Sequence, residues 1–251
     1  MSTGVAIEVK GLTKEYHANG KTTRAVDGLD LSVRAGEFFS LLGVNGAGKT
    51  TTIRMLSCLT LPTKGTAALG GFDIRRQPGD VCRLLNVSPQ NTAVALNLTV
   101  QENLEFMAGL WGADSKRARS AAEQIMQRME LTSIRRDYAK TLSGGWQRRL
   151  SIAMSLITEP RVLFLDEPTL GLDVLARREL WSVISSLHGQ VTLILTTHYL
   201  EEAAALSDRI GIMSCGHLRA LGTVDQLCAQ AGKEKFEDAF VELVTNGKEN
   251  V

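Results

Sequence analysis

The stretch GVNGAGKT, Gly43 to Thr50, sets glycines, a lysine and a hydroxyl residue at the spacing G-x-x-x-x-G-K-[ST]. Without Cβ atoms in the way, successive backbone N–H groups can curl around a phosphate. The apolar run EFFSLL before it reads as a strand and TTIRMLSCL after it as a helix, so the cradle opens onto a helix N-terminus and its partial positive charge. In that setting Gly43, Asn45, Gly46, Ala47 and Gly48 line the cradle and the Lys49 ammonium neutralises β- and γ-phosphate oxygens. The Thr50 hydroxyl would ligate Mg2+, with Thr51 beside the α-phosphate.

A second candidate is RVLFLDEP, Arg161 to Pro168. Val162 to Leu165 form a buried strand, and two acids emerge at its C-terminal end, where ligands of open α/β sheets sit. Asp166 is placed to hold Mg2+ and Glu167, one residue on, to polarise a water that attacks a γ-phosphate. A third is LSGGWQRRL, Leu142 to Leu150, whose Ser-Gly-Gly offers another anion cradle. One small domain with two phosphate loops calls for an explanation.

The elements that must position these residues are legible in outline. AIEVKGLTKEY alternates apolar and polar residues as a half-buried strand, and a turn at Asn19-Gly20 leads to a second strand within HANGKTTRAVDGLDLSV. From about Asn91 to Leu150 strand patterns give way to helical ones. In SKRARSAAEQIMQRMEL the residues Ala118, Ala122, Ile125 and Met129 share one helical face. RVLFLD, VTLILTT and RIGIMSC are then short apolar strands between helical stretches, the alternation of βαβ units around a mainly parallel sheet. The tail KFEDAFVELV sets Phe236, Phe240 and Leu243 on one helical face, expected to dock on the domain.

The 251 residues suffice for one substantial core with an inserted lobe. A formal net charge of +1 supplies no bulk field toward nucleic acid or an anionic bilayer, so no nucleic-acid partner is expected. Cys58, Cys82, Cys215 and Cys228 are scattered without a Cys-x-x-Cys and read as buried or idle thiols. The first residues lack the basic-then-apolar layout of a signal peptide, and no apolar run approaches a membrane span, which makes the cytoplasm the expected location.

Taken in order, Tyr16, GVNGAGKTT, Gln90 in VSPQN, LSGGWQRR, LFLDEPT, Asp173 in GLD and His198 in TTH resemble the motifs of the ATP-binding-cassette family. The resemblance implies an α/β P-loop NTPase core with a mainly parallel sheet, an antiparallel β subdomain and an inserted α-helical subdomain at about 91–155. One cassette domain would cover 1–230, followed by a C-terminal helix or tail over 231–251. It also implies an answer to the two cradles. Two cassettes pack head to tail, and each ATP lies between one chain's P-loop and the other's Ser143, Gly144 and Gly145, acting in trans. Tyr16 would stack on adenine, Gln90 would sense Mg2+ and the attacking water, His198 would contact the γ-phosphate, and Asp173 would belong to a loop crossing to the partner. His17, His188 and His217 are read as structural.

The resemblance departs from the family at Trp146, where the commonest signature has Gln, and at Leu170, where many members have Ser. Within the family, LTVQENLEFMAGLWG and HYLEEAAALSDRIGIM look most like ATP-binding subunits of exporters for drugs, lipids or sodium. That implies a separate multi-span membrane permease, a second cassette as homodimer or paralogue, and a peripheral site on the cytoplasmic membrane face. Leu96, Leu98 and Trp111 on the helical lobe either receive the permease or fill the lobe's own core. The competing reading is a soluble cassette ATPase uncoupled from transport. Chromosome-organising relatives need a long coiled coil, which is not visible, and translation-type proteins carry two cassettes. A dead regulatory domain conflicts with the presence of Lys49, Asp166, Glu167 and His198.

Overall fold

The computed structural model describes residues 4–18 and 20–245, so Asn19 of the expected turn and residues 246–251 of the expected tail lie outside the described residues. The strands β1 (Val5–Ala18) and β2 (Lys21–Arg34) pair antiparallel, and β4 (Lys64–Leu69) and β5 (Phe72–Asp73) extend them into a four-stranded sheet ordered β2-β1-β4-β5. The second sheet holds β3 (Phe38–Leu42), β6 (Leu85–Ser88), β7 (Val162–Asp166), β8 (Thr192–Thr197), β9 (Arg209–Ser214) and β10 (His217–Gly222). Its order is β10-β9-β3-β8-β7-β6, and only the β10–β9 pair is antiparallel.

The central strands are continuous apolar runs because both sheet faces are covered. Successive side chains leave on opposite faces. Phe38, Leu163, Leu165, Leu193 and Leu195 join the core beneath the helices, while Phe39, Leu41, Val162, Phe164 and Ile194 join the core shared with the antiparallel sheet. Helix α1 (Lys49–Leu56) buries Ile53, Met55 and Leu56 in that second core. Each such large side chain contributes about 1.5–3 kcal/mol of transfer free energy, which fixes the loop where β3 meets α1.

A short helix, α2 (Pro78–Leu84), precedes β6, and the helical lobe lies between β6 and β7. It contains α3 (Val100–Leu110), closed by a Thr99/Glu102 capping box, α4 (Ser115–Arg128), capped by Asp114, and α5 (Gly144–Leu156). Ala118, Ala122, Ile125 and Met129 are all buried, as their spacing predicts. Helix α5 shows no apolar stripe because every residue from Arg148 to Leu156 is buried, wedged between lobe and sheet. The chain continues through α6 (Val174–Ser185), α7 (Leu200–Leu206), α8 (Val224–Ala231) and α9 (Phe236–Thr245). Phe236, Phe240 and Leu243 of α9 pack on a third cluster with Ile210, Ile212 and Leu227.

Candidate nucleotide site

The loop between β3 and α1 is held by close backbone approach. Gly48 has φ 106°, and a Cβ there would stand 2.4 Å from the Ala25 carbonyl oxygen. At Gly43 a Cβ would stand 2.4 Å from the Met213 carbonyl oxygen. Any side chain at either position would push the loop off the strands that support it. The loop therefore needs glycine at both positions for packing. Residues 45–51 line a cavity of about 480 Å³ together with Ala25, Gln90, Glu167, Leu170 and His198. Its size is that of a small-ligand site.

Lys49 is the first residue of α1 and only 5% exposed. Its Nζ donates to the carbonyls of Gly43 at 2.7 Å and Val44 at 3.2 Å and lies 3.5 Å from Glu167 Oε1. Burial pulls its pKa below the ordinary lysine value, against the opposing pull of Glu167 and Asp166.

Asp166 and Glu167 sit where β7 ends, as expected. Asp166 Oδ1 accepts from Thr50 Oγ1 at 3.2 Å and from the Thr196 hydroxyl. Glu167 adopts φ 47°, a left-handed conformation uncommon for a residue with a Cβ. It is held there by its N–H, shared between the carbonyl (3.0 Å) and hydroxyl (3.2 Å) of Thr196. This conformation turns the carboxylate back over the cavity. Oε1 faces Lys49, and Oε2 is 3.2 Å from His198 Nδ1. The His198 nitrogen is close but off the direction a hydrogen bond requires, and it has no other partner.

The structure thus brings together Asn45, Gly46, Ala47, Gly48, Lys49, Thr50, Thr51, Gln90, Glu167 and His198, with Asp166 directly behind Thr50. Tyr16 is not among the cavity's lining residues. It stands partly exposed on β1 opposite Thr23, with Lys14 Nζ 5.0 Å from its ring centre. Ser143, Gly144 and Gly145 also lie outside the cavity lining. Ser143 occupies the N-cap of α5 but its hydroxyl makes no capping bond, so it stays available at an exposed helix start. Trp146 packs on the lobe core under the Arg149 guanidinium, 4.6 Å from its ring centre. Leu170 lines the cavity, and Asp173 caps α6 through Oδ1.

Away from the site, His17 contacts Thr22, His188 contacts Asp208 and His217 faces Asp27. None of the four cysteines is fully buried, which removes the buried-thiol alternative for them; Cys82 and Cys215 are exposed.

Sequence reasoning missed Arg148. It is 4% exposed and donates from Nε to Pro168 O (2.7 Å), from Nη1 to Pro89 O and Gln90 O (3.0 Å), and from Nη2 to Asp166 O (2.8 Å) and Glu167 O (2.9 Å). Burial lowers its pKa to about 10 despite three nearby carboxylates. Its neighbours Gln147 and Arg149 make the local sequence read as a solvated helix face, so the sequence offered no signal for its burial. Glu202 was also missed. It is fully buried, accepts from Trp181 Nε1 at 3.1 Å, and has its pKa raised by desolvation.

Comparison with known proteins agrees with this fold. The family model described as ABC transporter matches residues 26–170. The chain is 46% identical over 228 residues to the daunorubicin/doxorubicin resistance ATP-binding protein of Streptomyces peucetius, covering 90% of this chain and 68% of that one. It is 40% identical over 241 residues to a doxorubicin resistance ATP-binding protein of Mycobacterium tuberculosis, covering 96% and 71%. Among solved structures, an ATP-binding subunit of an ABC transporter superposes with a TM-score of 0.80 at 27% identity, covering 95% of this chain and 99% of the other. A dimeric ATP-binding cassette bound to ADP and phosphate shares the fold with a TM-score of 0.77 at 24% identity, covering 86% and 98%. With its glycine loop and paired acids set on this α/β core, the chain belongs to the ABC transporter family, whose ATP-binding cassette it forms.

Proposed function

We propose that this chain is the ATP-hydrolysing subunit of an exporter for apolar, drug-like compounds, acting as one half of a cassette dimer on a separate membrane permease. The observation that carries the reading is the convergence of residues 45–51 with Gln90, Glu167 and His198 on one cavity, while Ser143 opens an exposed helix outside it.

The N–H groups of the loop and the start of α1 cradle the β-phosphate, and Lys49 turns from backbone carbonyls toward phosphate oxygens. The residues present suit Mg2+. Thr50 Oγ1 and Asp166 Oδ1 are hard oxygens 3.2 Å apart, with Gln90 on the same cavity. Two protein oxygens with Gln90 nearby suit an ion that takes its remaining ligands from phosphates and water. When bound, that ion offsets the charge developing on the β- and γ-oxygens. Glu167, held in its left-handed conformation by Thr196, orients a water and takes its proton, and His198 holds the γ-phosphate side of the same carboxylate. Ser143 and Gly145 of a second cassette close over the γ-phosphate, so loss of that group weakens the grip between chains.

Among the described residues no helix is long and apolar enough to cross a membrane. The permease is assigned to another polypeptide on the strength of the relatives named as ATP-binding proteins, with the cassette peripheral on the cytoplasmic face. Leu96, Phe106, Leu110, Trp111 and Tyr138 are exposed on the lobe that follows Gln90, and buried Asn103 pins this segment through four hydrogen bonds to Ala95, Leu98 and Thr99. Such an apolar face suits a cytoplasmic helix of the permease. The relatives named for drug resistance favour export.

The test is ATP turnover per chain measured against chain concentration with Mg2+ present. Turnover that rises with concentration is expected, and a rate indifferent to it in strictly monomeric chain would overturn the reading.

A further inference from the structure

Arg148 is a buried cation satisfied entirely by backbone carbonyls. An arginine carries five N–H donors in a fixed fork, and here five carbonyls receive them: Pro168, Pro89, Gln90, Asp166 and Glu167. They belong to two separate segments, residues 89–90 after β6 and residues 166–168 at the C-terminal end of β7. Both are stiffened by a proline. The guanidinium thus fixes the distance between the backbone that carries Gln90 and the backbone that carries Asp166 and Glu167. Burying a full charge costs stability compared with an apolar residue of similar volume, and the nearby carboxylates of Asp166, Glu202 and Glu167 offset that cost only in part. A packing role alone does not call for that cost.

The position of Arg148 on α5 gives the arrangement a second consequence. The N-cap of that helix is Ser143, about 7.5 Å from Arg148 along the axis at the usual rise. One rigid helix therefore presents its N-terminus outward and clamps this chain's own water-activating residues from its second turn.

We propose that Arg148 is a positioning residue that links contact between Ser143 and a partner's nucleotide to the placement of Gln90 and Glu167 at this chain's own site. The proposal rests on the shared-site reading given above. A displacement of α5 on closure moves Gln90 and Glu167 together, so each site of the dimer is set by the chain that closes over the other.

The test is Arg148→Lys in the full chain, which keeps the charge but replaces five spread donors with three at one point. Binding of a fluorescent ATP analogue should stay within about twofold of the parent, because the phosphate loop is untouched, while kcat falls by at least about tenfold. Addition of excess Mg2+ or ATP should not restore it. A kcat within about threefold of the parent overturns the proposal, as does a parallel loss of nucleotide binding and kcat that tracks a fall in Tm. Arg148→Gln serves as the second variant, and failure of both to fold assigns Arg148 to the core alone and overturns the proposal too. The parent's concentration dependence separates the two claims. If parent turnover ignores chain concentration, the shared site itself fails; if it rises normally and Arg148→Lys turns over normally, only the role of Arg148 fails.

Discussion

Replacing Glu167 with Gln keeps shape and removes one charge from the centre of the site. The carboxylate lies 3.5 Å from Lys49 Nζ, and both groups are nearly buried. At an effective dielectric near 20, that separation corresponds to about 5 kcal/mol of attraction. The pair therefore competes with any phosphate for the ammonium. If only about a quarter of that coupling is redirected to the nucleotide, ATP binds about tenfold more tightly in the Gln variant. Turnover moves the other way. Loss of a positioned general base costs about 10²–10⁴-fold in rate, or about 3–5 kcal/mol of barrier. Calorimetry with ATP and a single-turnover assay on the same preparation read both quantities, and light scattering should show a dimer held by unhydrolysed ATP. Turnover within about tenfold of the parent would remove Glu167 as the base. Weaker ATP binding in the variant would refute the competition between its carboxylate and the phosphate.

Lys49→Ala deletes a charged donor worth about 1.5–3 kcal/mol and should weaken ATP binding about 10–150-fold; unchanged binding by calorimetry would exclude it from the phosphate site. Glu202 has a raised pKa in the fold, so its contribution is most favourable below the unfolded carboxyl value and is lost as pH rises toward the folded one. Glu202→Gln, which can still accept from Trp181, should therefore match the parent in acid and melt about 2–4 °C higher at pH 8; a variant that melts lower at pH 8 would show that the carboxylate is stabilising there. Asp173→Ala strips the cap from the Leu175 and Ala176 N–H groups and should cost about 0.5–2 kcal/mol of stability in thermal or urea melts; no change would place the value of Asp173 outside the folded monomer.

The placement of the glycine loop and of the β7 acids was legible because the features that position them lie within a dozen residues of them. A buried strand, a turn and a helix start all show in local pattern. The same holds for α4, whose apolar spacing directly named its buried face. Arg148 was not legible, since its partners lie 18 to 59 residues away in sequence. Its role arises only when two loops converge on one helix. Glu202 is a similar case. Beside exposed Glu201 it reads as part of a solvated face, yet it is buried because α7 packs against Trp181 of α6. The strand β4, Lys-Gly-Thr-Ala-Ala-Leu, escaped notice because it is rich in small residues, and β5 and β6 because they span two and four residues; pairing with β1, β4 and β7 makes them strands, not any alternation of their own. Tyr16 was placed by resemblance alone, and its exposed setting on the hairpin adds no contact with the cavity.

The central claim is that each γ-phosphate is gripped by two chains, and complementation tests it most directly. Ser143→Arg chains keep a sound phosphate loop, Lys49→Ala chains keep a sound α5 start, and each variant alone should be inactive. An equal mixture should recover about a quarter of parent turnover, because random pairing makes half the dimers mixed and each mixed dimer holds one intact site of two. A mixture that stays as inactive as its separate components would contradict the claim.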